Sequence, residues 1–95
     1  MSDCVERVFT VRSELGLHAR PAGQLVALAG SFTAEIQVGR GEEWVDGRSV
    51  LSLLSLAAGK GTELRIRAEG SDATEAVEAL GALVERTHID EPASG

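Results

Sequence analysis

His18, Arg20 and Pro21 are the residues of this chain whose types and spacing could do chemistry. They lie in Gly16-Leu17-His18-Ala19-Arg20-Pro21-Ala22-Gly23, where a strand-like run gives way to helical spacing. Proline has no N–H and a preset φ, so it is tolerated in the first turn of a helix. The spacing therefore predicts a helix starting near Ala19, with His18 at or near its N-cap. The first N–H groups of a helix have no intrahelical acceptor, and the helix dipole is positive at that end. An anion beside His18 would meet the N–H groups of Ala19 and Arg20, and the Arg20 guanidinium could join them. The same field disfavours a positive charge on the ring and favours a neutral, nucleophilic imidazole. A neutral imidazole beside an anion cradle is suited to accept a phosphoryl group. A histidine at a helix start is also an ordinary surface cap, and His-x-Arg-Pro alone is a short signal.

The elements that must hold this junction follow from apolar spacing. Val5 to Val11 alternates as a strand, with Val5, Phe9 and Val11 on one face and Arg7 an exception on it. Ser13-Glu14-Leu15-Gly16 is the loop that delivers His18. Ala19 to about Gly30 is a helix with a stripe of Ala22, Leu25, Val26, Leu28 and Ala29. Ala34 to Val38 alternates as a strand, Gly39 to Glu42 is a turn, and Glu43 to Val45 returns as a short strand carrying Trp44 at an edge. Ser49 can cap a short helix to about Leu56, which Gly59-Lys60-Gly61 breaks. Glu63 to Glu69 is a strand with Leu64, Ile66 and Ala68 inward. Asp72 with Glu75 reads as a capping box for a helix burying Ala73, Ala76, Val77, Leu80, Leu83 and Val84. The tail from Ile89 to Gly95 reads as frayed, and His88 has no motif around it. The order strand, helix, strand, strand, helix, strand, helix suits an α+β open-faced sandwich, a four-stranded sheet with helices on one face.

A chain of 95 residues is read as one domain, 1–95, with a modest core. Its formal net charge of −6 argues against nucleic-acid binding, which needs a basic face. A single cysteine, Cys4, excludes a disulfide within the chain. The N-terminus lacks the pattern of a signal peptide, and Val50 to Ala58 is too short to insert into a membrane, so a cytoplasmic location is expected. No metal-ligand cluster, catalytic triad or glycine-rich nucleotide loop is visible.

Two segments together resemble a known family. Gly16-Leu17-His18-Ala19-Arg20-Pro21-Ala22 is similar to the active-site segment of HPr, the histidine-containing phosphocarrier of the bacterial sugar phosphotransferase system. Ser49-Val50-Leu51-Ser52-Leu53-Leu54-Ser55-Leu56, followed by Gly59-Lys60-Gly61, resembles the family's second signature, in the right order and spacing. The likeness runs from about Val5 to Val84. It implies an antiparallel sheet with three helices (βαββαβα) and a covalent carrier without a cofactor, not an independent enzyme. By that resemblance, Nδ1 of His18 takes a phosphoryl group from phosphorylated enzyme I. It then passes the group to the A domain of a sugar permease or of a regulatory phosphotransferase. Arg20 and the amides of Ala19 and Arg20 would stabilise the phosphoryl charge.

Two further groups enter here. A short helix cannot bury Val50, Leu51, Leu53, Leu54 and Leu56 together, and exposed apolar residues mark docking surfaces. The resemblance implies partner docking at Val50, Leu51 and Leu54, flanked by Gly23 and Gln24. Ser49 is either a plain cap or, as in many relatives, a regulatory site for a serine kinase and phosphatase. A different class of function competes on the same fold: a regulatory binding module working through phosphorylated Ser49.

Overall fold

The structure, a computed structural model, describes residues 3–14 and 16–86; His88 and the tail 89–95 lie outside them. Seven elements follow one another: β1 (Cys4–Thr10), α1 (Ala19–Ala29), β2 (Glu35–Arg40), β3 (Glu43–Asp46), α2 (Val50–Ser55), β4 (Glu63–Glu69) and α3 (Ala73–Val84). The strands form one sheet in the order β1-β4-β2-β3, and every neighbouring pair is antiparallel. The fold is therefore the α+β open-faced sandwich that the element order suggests.

Alternation decides which face of the sheet is covered. In β4, Leu64, Ile66 and Ala68 are buried while Arg65 and Arg67 stay partly exposed on the other face. Ile36 and Val38 of β2 lie on the buried side, and Val38 pairs directly with Ile66. The helices close this face with Ala22, Leu25 and Ala29 from α1, Leu53 from α2, and Ala73, Ala76, Val77, Leu80, Leu83 and Val84 from α3. All six positions expected on the inner face of the last helix are buried. α3 lies across β1 and β4, and α1 packs against both other helices.

The irregularities have local causes. Arg7 shares the inner face with its register partner Ile66, yet reaches past the core edge to Glu78 on α3 at 3.6 Å. Phe9 on the same face lies against Gly81, where an added Cβ would come within 2.1 Å of its ring, so only glycine fits. β1 stops at Thr10, not Val11, because its partner begins at Glu63; Val11 N–H instead donates to the Thr62 carbonyl at 2.9 Å. β2 runs on to Arg40, which shrinks the hairpin turn to Gly41 and Glu42.

The capping box at Asp72 is not formed. The Asp72 carboxylate makes no cap bond; it accepts from the N–H groups of Thr33 and Ala34, each at 2.9 Å. Those amides belong to the loop entering β2, and the bond from Thr33 holds the carboxyl below its ordinary titration range. Trp44 does lie on an edge strand. Its ring covers Gly39 and is stacked by Arg67 and Arg65 at 4.1 and 4.5 Å, on the face away from the helices.

Candidate functional site

The loop between β1 and α1 is held to the rest of the chain before it reaches His18. The Gly61 N–H donates to the Val11 carbonyl at 2.7 Å, and the exposed Lys60 ammonium meets Glu14 at 2.7 Å. That pairing, a hydrogen bond first and charge attraction second, lowers the Glu14 carboxyl below its usual range. Gly16 then turns with φ +74°. A Cβ there would sit 2.7 Å from the Ala58 carbonyl oxygen and from Gly59 Cα, so the segment after α2 presses directly on the loop. The Leu17 side chain is buried in the core, and its N–H donates to the Ala58 carbonyl at 2.7 Å.

His18 follows, with an extended backbone (φ −106°, ψ −168°) at the N-cap of α1. Its carbonyl accepts the first bond of the helical ladder, from Ala22 N–H at 3.0 Å. Ala19, Arg20 and Pro21 are thus the first three helical residues. The amides of Ala19 and Arg20 stand ahead of the ladder, and Pro21 has no N–H to place there. The first turn of α1 contains no acidic residue, so its positive end meets no carboxylate from its own helix. Pro21 is fully buried, whereas the side chains of Ala19 and Arg20 are exposed. The half-buried His18 side chain does not form the cap bond. The arrangement has the features of an anion site beside an imidazole.

The second group of residues lies on α2. Ser49 is its N-cap, and its hydroxyl accepts from the Ser52 N–H at 3.2 Å. Leu53 and Leu56 enter the core, Val50 and Leu54 are partly buried, and Leu51 is 80% exposed. As expected, the five apolar residues are not all buried, but of the three docking candidates on this helix Leu51 alone is exposed, while Val50 and Leu54 pack partly against the core. On α1, Gln24 is exposed, and Gly23 has open space where a side chain would be. α1 and α2 pack together. The Leu17–Ala58 bond joins the His18 loop to the segment just after the helix, whereas Ser49 starts the helix about 9 Å away along its axis.

Sequence reasoning missed this contact with Ala58 and the role of Arg40. The Arg40 guanidinium donates to the carbonyls of Leu56 and Ala57 at 2.7 and 2.9 Å and so closes the C-terminus of α2. The glycines at 16, 59 and 61 were the available signal for a tight approach; no local pattern marks Arg40. Among the described residues, no group of three or more His, Cys, Asp or Glu side chains could hold a metal ion, and no helix is long and apolar enough to cross a membrane.

Comparison with known proteins gives this geometry a context. A family model described as the PTS HPr component phosphorylation site matches residues 5–86, nearly all the described chain. The chain belongs to the HPr phosphocarrier family. It is 45% identical over 76 residues to the phosphocarrier protein HPr of Pseudomonas aeruginosa, covering 79% of this chain and 84% of that one. The crystal structure of HPr from Bacillus anthracis superposes with a TM-score of 0.83 at 40% identity, covering 86% of this chain and 98% of that one. The solution structure of Crh, the catabolite repression HPr of Bacillus subtilis, gives 0.67 at 38% identity with the same coverage, 86% and 98%. The four antiparallel strands and three helices described above are the HPr architecture, and membership places the chain among the phosphocarriers of the phosphotransferase system.

Proposed function

We propose that this HPr-family protein carries a phosphoryl group on His18 between phosphorylated enzyme I and the A domain of a sugar permease or regulatory phosphotransferase, in the cytoplasm. The reading rests above all on the start of α1, where His18 stands at the N-cap, Ala19 and Arg20 open the helix, and the first turn holds no acidic residue. The Nδ1 lone pair attacks phosphorus, and the bond from phosphorus to the donor breaks in the same displacement. The ring proton leaves to solvent or donor, and the reverse displacement delivers the group to the acceptor. The amides of Ala19 and Arg20 and the Arg20 guanidinium face the charge on the phosphoryl oxygens, the kind of preorganised donor set that stabilises it. The exposed Leu51, with Val50, Leu54, Gly23 and Gln24, offers partners an apolar surface.

The test is transfer itself. Incubated with phosphoenolpyruvate and enzyme I, the protein takes up one acid-labile, base-stable label, and His18→Ala takes up none. Acid-labile label persisting in His18→Ala, on His88 for instance, overturns the assignment.

A second reading, regulation through phosphorylated Ser49, is supported by the likeness to a catabolite repression HPr and by the position of Ser49 at a helix start beside Leu51. A serine kinase acting on this chain leaves acid-stable label that Ser49→Ala loses; the absence of such label with an active kinase defeats that reading.

A further inference from the structure

We propose that Arg40 is a positioning residue for His18, acting through the left-handed joint that ends α2; the proposal rests on the reading of His18 as the phosphoryl acceptor. The joint is Ala57, with φ +51°, the only non-glycine at positive φ among the described residues. An L residue with a Cβ disfavours that conformation, so its surroundings must hold it there. What holds it is the Arg40 guanidinium, whose two bonds go to the carbonyls of Leu56 and Ala57, on either side of the Ala57 Cα. A cation at a helix C-terminus also meets the negative end of the dipole. Arg40 itself is fixed as the last residue of β2, paired across the hairpin with Glu43.

From this joint to the imidazole the path is short and has no slack. Ala58, next after Ala57, is buried, and its carbonyl accepts the Leu17 N–H at 2.7 Å. Gly16 lies against Ala58 and Gly59 with no room for a Cβ, and Leu17 is buried in the core immediately before His18. A joint that relaxes toward right-handed φ swings the Ala58 carbonyl away from Leu17 and so shifts the backbone that aims the ring. The Lys60–Glu14 pair is a second, exposed tie between the same two segments, so losing Arg40 displaces the loop without detaching it. Displacement on the scale of an ångström is costly to a transfer that depends on alignment.

The experiment compares Arg40→Ala, Arg40→Lys and the double variant Arg40→Ala/Ala57→Gly with the wild type, as full chains. Two readouts are taken: transfer from phosphorylated enzyme I across carrier concentrations, and amide exchange at Leu17 beside that at Ile66 in the middle of the sheet. Arg40→Ala is expected to speed Leu17 exchange about tenfold with Ile66 unchanged. It lowers the maximal transfer rate about tenfold while the apparent KM holds. Arg40→Lys falls between, because an ammonium spans two carbonyls less well than a planar guanidinium. The double variant recovers both readouts, since glycine takes the left-handed joint without help. Unchanged Leu17 exchange in Arg40→Ala, exchange at Ile66 rising in step with it, or no recovery in the double variant overturns the proposal. If the wild type itself takes no phosphoryl group, the reading of His18 has failed, and the exchange pair still decides whether Arg40 holds the joint.

Discussion

α1 and α2 begin with opposite solutions to the same problem. Both need an acceptor for N–H groups that precede the ladder. At α2 the Ser49 hydroxyl supplies it, accepting from Ser52, so this side chain serves the helix. At α1 the residue in the same place is His18, and its ring makes no cap bond. The chain instead stabilises that start from behind: Pro21 contributes no orphan N–H, and Leu17 is anchored both in the core and on Ala58. The contrast separates a helix start capped by its own side chain from one that puts an uncapping imidazole in the cap position. It also explains why the two serve different proposals, a covalent acceptor at one and a mark upon docking at the other.

The largest effect that sharpens the contrast is at His18. His18→Ala should lose phosphoryl acceptance altogether while its stability changes by less than about 1 kcal/mol, because no cap bond disappears. Labelling beside a thermal melt checks both halves; a melt lowered by several degrees would show that His18 holds its helix after all. Next comes the division within α2. Leu53→Ala removes a fully buried side chain and should cost about 2–5 kcal/mol. Leu51→Glu should stay within about 0.5 kcal/mol of wild type and instead weaken binding to enzyme I, as isothermal titration can show. Destabilisation by Leu51→Glu as large as that of Leu53→Ala would place Leu51 in the core and remove the docking surface. Third, Ser49→Ala should cost about 1 kcal/mol in denaturant unfolding and leave labelling of His18 intact.

These contrasts were only partly visible in the sequence. Element order, the inner faces of β4 and α3, and the position of His18 ahead of Pro21 could be read because each depends on spacing within a few residues. Three features could not be read in this way. Asp72 three residues before Glu75 has the form of a capping box, but the Thr33 and Ala34 amides, 39 and 38 residues away in the chain, claim its oxygens. Arg40 at a strand end looks like any exposed cation, and only the fold brings the α2 carbonyls to it. Alternation carries β1 on to Val11, but the strand ends where its partner does. Local rules locate elements, whereas long-range pairing decides what their polar ends bond to.

Asp72, at the third helix start, adds a pH test of the same comparison. Its folded carboxyl titrates below the ordinary range because it accepts from the loop amides, chiefly Thr33. Such a group contributes stability that is fully present above the unfolded pKa of about 3.9 and lost as pH falls through the lower folded value. Asp72→Asn should therefore flatten the acid limb of the stability curve below about pH 4 and leave the helix start itself little changed. An acid limb identical to the wild type would mean that the loop amides do not favour the charged form.

The smallest effect, Ser49→Asp, probes whether the two helix starts communicate. Aspartate can take over the cap, and its charge faces the positive end of α2, so stability should hold or rise by about 0.3–1 kcal/mol. Ser49 and the Leu17–Ala58 contact lie at opposite ends of a helix about 9 Å long. Salt at physiological strength screens exposed charges over about 8 Å, so the added charge should act chiefly on what lies beside the start of α2. What it does reach is the rim of the apolar surface beside Val50 and Leu51, where a partner must desolvate it on every encounter. The apparent KM for enzyme I should then rise while the maximal transfer rate stays constant. A genuine phosphate, with nearly twice the charge, should raise KM further in the same direction. A fall in the maximal rate at constant KM would show the charge acting on His18 itself, and the separation between the two helix starts would be lost.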